Sequence, residues 1–174
     1  MKKLLITILA LITVSGFAQK NNYSNQLSEF KIDAAKLTIG GIIEVSYEHV
    51  GFDSSGYGVS VLINPRENDA YFEKFSVTPF YRMYFLRRAD YGAKGLFVEG
   101  FSKFSFGTED DYFLNNYQNE DYFDAAIGLS LGKKWVNRNG FVLEIFVGGG
   151  RTLGFSEASP EGLFRGGVFI GKRF

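Results

Sequence analysis

The chain has 174 residues, with 19 basic and 19 acidic side chains, 19 Phe, 10 Tyr, 21 Gly and no cysteine. The balanced charge gives no support to nucleic acid as a partner, and without cysteine the protein can form neither a disulfide nor a lipid-modified cysteine. Because aromatic residues favour strands and glycine lets strands approach closely, the composition favours one all-β domain.

The first 18 residues have the features of a cleaved secretory signal peptide. Two lysines precede an apolar run from Leu4 to Val14, and small residues lead to Ala18. The run is shorter than the roughly 20 residues that a transmembrane helix needs. We therefore expect a signal peptide over 1–18, an N-terminal periplasmic segment over 19–27 and an outer-membrane β-barrel over 28–174.

After the signal, apolar and polar residues alternate in about eight segments, each near the roughly 9 to 11 residues with which a tilted strand crosses a bilayer. The clearest is 122–133, where Phe123 and Ile127 share one face and Asp124 and Gly128 the other. This pattern predicts a closed antiparallel up-and-down transmembrane β-barrel of about eight strands. The predicted strands are 28–38, 42–50, 57–64, 75–86, 95–107, 122–133, 140–152 and 163–174.

The connections between these strands resemble those of outer-membrane barrels, which alternate short periplasmic turns with longer extracellular loops. The first connection, around Ile39-Gly40-Gly41, is too short for a typical surface loop. Pro79 lies inside the fourth strand and predicts a bulge or a strained position, because proline cannot donate to a strand ladder. The remaining predicted turns are 51–56, 87–94 and 134–139, and the remaining predicted loops are 65–74, 108–121 and 154–161.

One face of these segments is nearly uniform in Phe, Tyr, Ile, Val and Leu, whereas the other mixes Gly and Ser with isolated charges. The exterior of a soluble barrel normally carries dense Lys and Glu. The pattern therefore favours a membrane barrel with the charges inside a narrow lumen, where they can pair. An ordinary solvated sheet face is the alternative. The predicted interior polar network consists of Glu44, Glu48, Arg82, Glu99, Lys103, Asp124, Glu144, Arg165 and Arg173.

The chain ends on Phe174, within an alternating strand. Together with the signal peptide, this ending is similar to the terminal signal that outer-membrane barrels present to their assembly machinery. It predicts the cell outer membrane as the location, with membrane lipid and the barrel-assembly machinery as partners.

Four stretches carry the pattern of a known family: Thr78 to Phe85, Lys94 to Gly100, Gly128 to Phe141 and Gly166 to Phe174. They resemble a family of small bacterial outer-membrane β-barrels of unknown function (DUF3575), similar in size and architecture to the OmpX and OmpA-barrel group. The resemblance implies the fold and the location and assigns no biochemical activity. Pro79 belongs to the resembling pattern.

The sequence offers little catalytic chemistry. An acyl-transfer site needs a base beside its hydroxyl nucleophile, and the single histidine, His49, is predicted to lie on the lipid side near the periplasmic interface. The acidic pairs around 109–111 and 120–121 could at most hold Ca²⁺ loosely, and a solvated acidic loop is the preferred interpretation. We therefore predict no enzymatic activity, no cofactor and no metal site.

The segment 108–121 is acidic and rich in aromatic residues, which favours either a contact patch for an extracellular ligand or part of an aromatic girdle. The leading functional hypothesis is a structural or surface-interaction barrel whose lumen is plugged by polar side chains. The alternative is a narrow pore or a lateral path for small or hydrophobic solutes. A lipid-modifying enzyme is a third and weaker hypothesis.

Overall fold

The computed structural model describes residues 27–51, 54–65, 73–85, 94–109, 120–153 and 162–174. Eight strands follow one another around a closed barrel, each antiparallel to its neighbours, and β8 pairs with β1. This architecture confirms the predicted fold. The elements are β1 (Leu27–Asp33), α1 (Ala34–Ile39), β2 (Ile43–Val50), β3 (Ser55–Ile63), β4 (Glu73–Tyr84), β5 (Gly95–Glu109), β6 (Glu120–Val136), β7 (Phe141–Thr152) and β8 (Gly162–Arg173).

The two ends of the barrel differ. At one end, called the turn end, short connections at 51–54 and 137–140 join strands beside Phe174. The backbone of Phe174 exchanges two hydrogen bonds with that of Ser28, at 2.9 and 3.0 Å, so the last residue helps to close the barrel. At the opposite end, called the loop end, α1 follows β1, and β3, β5 and β7 end.

Several predicted segments lie wholly or largely outside the described residues. They include the signal peptide at 1–18, the periplasmic segment at 19–27 and most of the loop at 108–121. Within the described ranges, no helix has the length and apolarity needed to span a bilayer.

The first predicted strand, 28–38, was too long. β1 ends at Asp33, and the connection to β2 contains α1. The Asp33 carboxylate accepts the backbone N–H of Lys36 at 3.0 Å and so caps the start of α1. The capping aspartate and the two alanines that follow it favour helix over a continued strand.

Two further predictions about the strands were wrong. Of the bulge or strained position expected at Pro79, the bulge is absent, because Pro79 stays in register with Val59 and the register shift of β4 lies between Glu73 and Phe75. The pairs of β4 with β5 stop at Val77 and resume at Phe80. β6 continues to Val136, so Lys134 belongs to a strand and not to a turn.

The apolar face of the barrel points outward. Phe123, Ile127, Phe141 and Ile145 are exposed, and so are most large apolar side chains at the same parity in the other strands. Monomeric soluble proteins rarely expose contiguous apolar surface on this scale. Such a belt is the surface that membrane-spanning barrels present to lipid.

The inner face is more aromatic than the sequence pattern predicted. Phe80, Phe97, Phe101, Phe146 and Phe169 are buried among the inward polar residues. Phe80 and Phe146 fall on the inner parity of their predicted strands, and Phe97 and Phe101 share the parity of Glu99 and Lys103, which were predicted to face inward. The lumen is therefore a mixed core of rings and ions.

Glycines beside the inward rings provide the space for them. Gly128 lies opposite Phe101 in register, and Gly132 lies opposite Phe97. A Cβ at Gly128 would lie 2.5 Å from the Phe101 ring, and one at Gly132 would lie 2.6 Å from the Cβ of Phe146. These contacts are too short for any side chain, so glycine is required where rings cross the lumen.

Candidate functional site

The lumen between mid-height and the turn end is occupied by buried charged side chains, and seven of the eight strands contribute. Alternation places each of them inside, because every second residue of a strand faces the same side. Burying an ion is costly unless it is paired. The residues of this lumen network are Glu29, Lys31, Glu48, Arg82, Tyr84, Glu99, Lys134, Glu144, Arg165 and Arg173.

Glu48 is the centre of the lumen network. Its Oε2 accepts hydrogen bonds from Lys31 Nζ at 2.6 Å, Arg82 Nη1 at 2.7 Å and Lys134 Nζ at 2.8 Å. Its Oε1 accepts the hydroxyl of Tyr84. One carboxylate cannot neutralise three cations, so neighbouring acidic side chains must supply the remaining negative charge.

Glu144 supplies the second negative charge at this centre. Its Oε2 accepts bonds from Lys31 Nζ and Arg82 Nη1, both at 2.8 Å. The other oxygen of Glu144 is buried without a hydrogen-bond partner. The cluster is thus electrically paired but not fully hydrogen-bonded.

Glu99 extends the network toward the loop end. Its Oε2 accepts the Nε of Arg82 at 2.6 Å, and its Oε1 accepts the guanidinium of Arg165 and the hydroxyl of Ser130. The Glu99 carboxylate therefore connects Arg82 and Arg165, with one oxygen bound to each. Charge-assisted bonds of this kind are among the strongest that side chains make.

Glu29 extends the network toward the turn end. Its Oε2 accepts Lys134 Nζ at 2.7 Å, and its Oε1 accepts the Nε of Arg173 at 2.7 Å. Arg173 is the last residue of β8, so this carboxylate links the closing strand to the centre of the lumen.

The inward aromatic rings lie against the arginine side chains of the lumen network. The guanidinium of Arg82 lies 4.3 Å from the ring centroid of Phe80 and 4.5 Å from that of Phe97. Arg165 lies 4.8 Å from the ring of Phe146. Ring faces stabilise a desolvated cation, so the aromatic side chains fix the positions of the arginines.

A second group of polar residues lies nearer the loop end, and Glu44 connects it to the lumen network through an ion pair with Arg165 at 3.8 Å. Lys36 of α1 reaches Glu44, and Lys103 pairs with Glu73 at 2.6 Å. A cavity of about 150 Å³ lies among this group, with Arg165 among its lining residues. The lumen is therefore filled at its centre and partly open above it.

The structure buries all nine residues predicted for the interior network. It brings Glu48, Arg82, Glu99 and Glu144 into direct contact and joins Arg165 to them through Glu99. Arg173 is joined to the network through Glu29. Glu44 and Lys103 belong to the loop-end group, and Asp124 is buried beside Ser105, away from the centre.

Sequence reasoning missed three charged members of the lumen network: Glu29, Lys31 and Lys134. Glu29 and Lys31 alternate with Phe30 and Ile32, so their parity was a usable signal, but they were not assigned to the interior. Lys134 could have been found, because it continues the inward parity of Gly128, Ser130 and Gly132, but it was assigned to a turn.

His49 lies on the outer face near the turn end, where its ring packs 5.2 Å from that of Tyr57. Among the residues whose positions are described, no cluster of three or more potential metal ligands of the His, Cys, Asp and Glu types is found. The acidic residues at 110–111 lie outside that part of the chain.

No family model matches the chain, and no curated protein matches it. Among solved structures it is similar to the N-terminal β-barrel domain of Pseudomonas aeruginosa OprF. The two chains share 14% identity with a TM-score of 0.52, over 87% of this chain and 98% of that one. At this identity the likeness shows the fold alone, a closed β-barrel. The narrower resemblance to DUF3575 stays a prediction.

Proposed function

We propose that this protein is an outer-membrane β-barrel with a structural or surface-interaction role, and that its lumen is plugged by polar side chains. The observation that carries the proposal is the lumen network, in which Glu48 joins three cations from three other strands. An eight-stranded barrel leaves an interior only just wide enough for side chains. Here the side chains that fill it are ions bound to one another and the aromatic rings packed beside them.

Conductance in planar bilayers tests the plug. We expect the folded protein to show no channel openings. Arg82→Ala, which removes the largest fully buried side chain of the plug, should give openings, whereas Lys133→Ala on the outer face should stay silent. Steady openings of the unmodified protein would contradict the plug and support a pore.

The cavity above the plug favours the second candidate, a narrow pore or lateral path for small or hydrophobic solutes. Lys36, Ser76, Thr78 and Lys103 line it together with Phe164, so it could admit a small polar or amphipathic solute. The same recordings decide between the candidates, because a path through the lumen requires the plug to open in the unmodified protein.

The proposal places the loop end outside the cell, as in barrels whose termini lie in the periplasm. Since the chain has no cysteine, single cysteines can report this orientation. Ile39 of α1 and Asn137 of the opposite turn are both exposed. On intact cells, a membrane-impermeant maleimide should label Ile39→Cys and not Asn137→Cys, and the reverse result would invert the topology.

The proposed partners are membrane lipid around the outer belt, the barrel-assembly machinery through Phe174, and an extracellular ligand through 108–121. Phe174 pairs with Ser28 in the closing seam, so Phe174→Ala should lower the amount of barrel in the outer membrane of cells. We also propose no enzymatic role. His49→Ala should therefore leave lipid composition unchanged, and an altered composition would support a lipid-modifying enzyme instead.

A further inference from the structure

The outer wall carries a groove of about 660 Å³, called here the outer groove. Its floor is made of small or compact residues on adjacent strands, namely Pro79 of β4 with Gly100 and Ser102 of β5. Larger side chains form its walls, and Arg151 lies at its loop end. The wall residues are Tyr81, Ile127 and Leu129.

The glycine in the floor is not required by packing. A Cβ at Gly100 would meet only Leu129 Cδ2, at 3.9 Å, which is ordinary contact. By contrast, a Cβ at Gly128 would strike the Phe101 ring and the neighbouring backbone. The missing side chain at Gly100 therefore leaves volume on the surface that faces lipid, where an acyl chain can lie.

Among the residues whose side chains are described, the charge on the outer surface has a single sign. Every acidic residue whose side chain the structure describes is buried, from Glu29 to Glu144. The exposed charged residues in the same ranges are all cations: Lys74, Lys133, Arg138, Arg151 and Lys172. This exterior is complementary to anionic lipid headgroups.

Arg151 lines the outer groove and is also one of the exposed cations. It is exposed, lies one residue from the loop end of β7, and has no carboxylate within ion-pair distance among the side chains described. A guanidinium facing hydrocarbon is costly unless it reaches the headgroup region, and guanidinium binds phosphate with two parallel hydrogen bonds.

We propose that the outer groove binds one anionic lipid that carries a phosphate, with an acyl chain along Pro79, Gly100 and Ser102 and the phosphate on Arg151. The inference rests on the proposed function, because it requires the barrel to span a membrane. It goes beyond that function in naming a specific lipid site.

Native mass spectrometry of the folded protein tests this site, with phosphatidylglycerol and phosphatidylcholine of identical chains as probes. We expect one phosphatidylglycerol to be retained about fivefold more tightly than phosphatidylcholine, the effect of one cation near a headgroup. Arg151→Gln should abolish that preference, and Arg151→Lys should keep part of it. Gly100→Leu should fill the groove and lower the retention of both lipids.

Two variants outside the groove are the controls. Lys172→Gln removes a cation from the turn end of the same surface, and Val45→Leu adds bulk to the outer face of β2, so both should bind as the unmodified protein does. Equal retention of the two lipids, or loss of preference in Lys172→Gln as well, would overturn the site. Each sample is first checked for heat-modifiable gel migration. A chain that never forms a membrane barrel fails that check and refutes the proposed function instead.

Discussion

Glu48 is the residue on which the lumen network most depends, because its carboxylate contacts Lys31, Arg82 and Lys134 in a fully buried site. Glu48→Gln keeps the shape of the side chain and removes its charge, which leaves the cations undercompensated. We expect the free energy of unfolding to fall by about 3 to 5 kcal/mol. Urea titration in lipid vesicles, followed by the fluorescence of the single tryptophan, Trp135, measures it.

The matched control is Lys133→Gln, a charge removal on the outer face beside Trp135. Its cation lies 5.0 Å from the ring of Trp135 and in no ion pair among the side chains described. It should change stability by less than about 1 kcal/mol. Equal losses for Glu48→Gln and Lys133→Gln would show that the buried centre has no special part in stability.

Gly132 tests how tightly the inward rings are packed. A Cβ there would lie 2.6 Å from the Cβ of Phe146 and 2.8 Å from the carbonyl oxygen of Ile145. Gly132→Ala should therefore lower the free energy of unfolding by about 1 to 3 kcal/mol through overpacking. Gly100→Ala, on the open outer wall, should be nearly neutral in the same urea titration, and a reversed order would contradict the packing described here.

At the scale of elements, α1 lies where the alternation predicted the second half of the first strand, and Asp33 caps its start. The Asp33 carboxylate accepts the backbone N–H of Lys36 at 3.0 Å and that of Val168 at 3.4 Å. Asp33→Ala should cost about 1 kcal/mol of stability and increase amide exchange in α1. Thr38→Ala, in the exposed last turn of α1, is the control. Unchanged exchange in Asp33→Ala would mean that α1 is held by other contacts.

At the scale of the whole molecule, the most important property is that the barrel is closed. β8 pairs with β1 and leaves no sheet edge at which unfolding could start, and Glu29 binds Arg173 across that seam. The unboiled protein should therefore migrate differently from the boiled protein on a denaturing gel, because detergent alone does not open the barrel. Identical migration would contradict a closed membrane barrel.

The sequence by itself determined the number of strands, their antiparallel order and which face of most strands is apolar. It could do so because alternation has a period of two residues and needs no knowledge of the neighbouring strand. It also identified nine buried polar residues from that parity. It failed at Asp33, where a helix-capping signal competed with alternation and α1 follows. It also failed at Lys134, where β6 continues beyond the residues that alternate clearly.

Only the tertiary structure decided which ions meet. Glu29 contacts Lys134 and Arg173, which are 105 and 144 residues away in the chain. Such pairs depend on the stagger between strands and on the closure of β8 onto β1, neither of which alternation specifies. The outer groove likewise exists only because Pro79, Gly100 and Ser102 come together on neighbouring strands. A period of two residues fixes the side to which each residue points, whereas the register fixes what it touches.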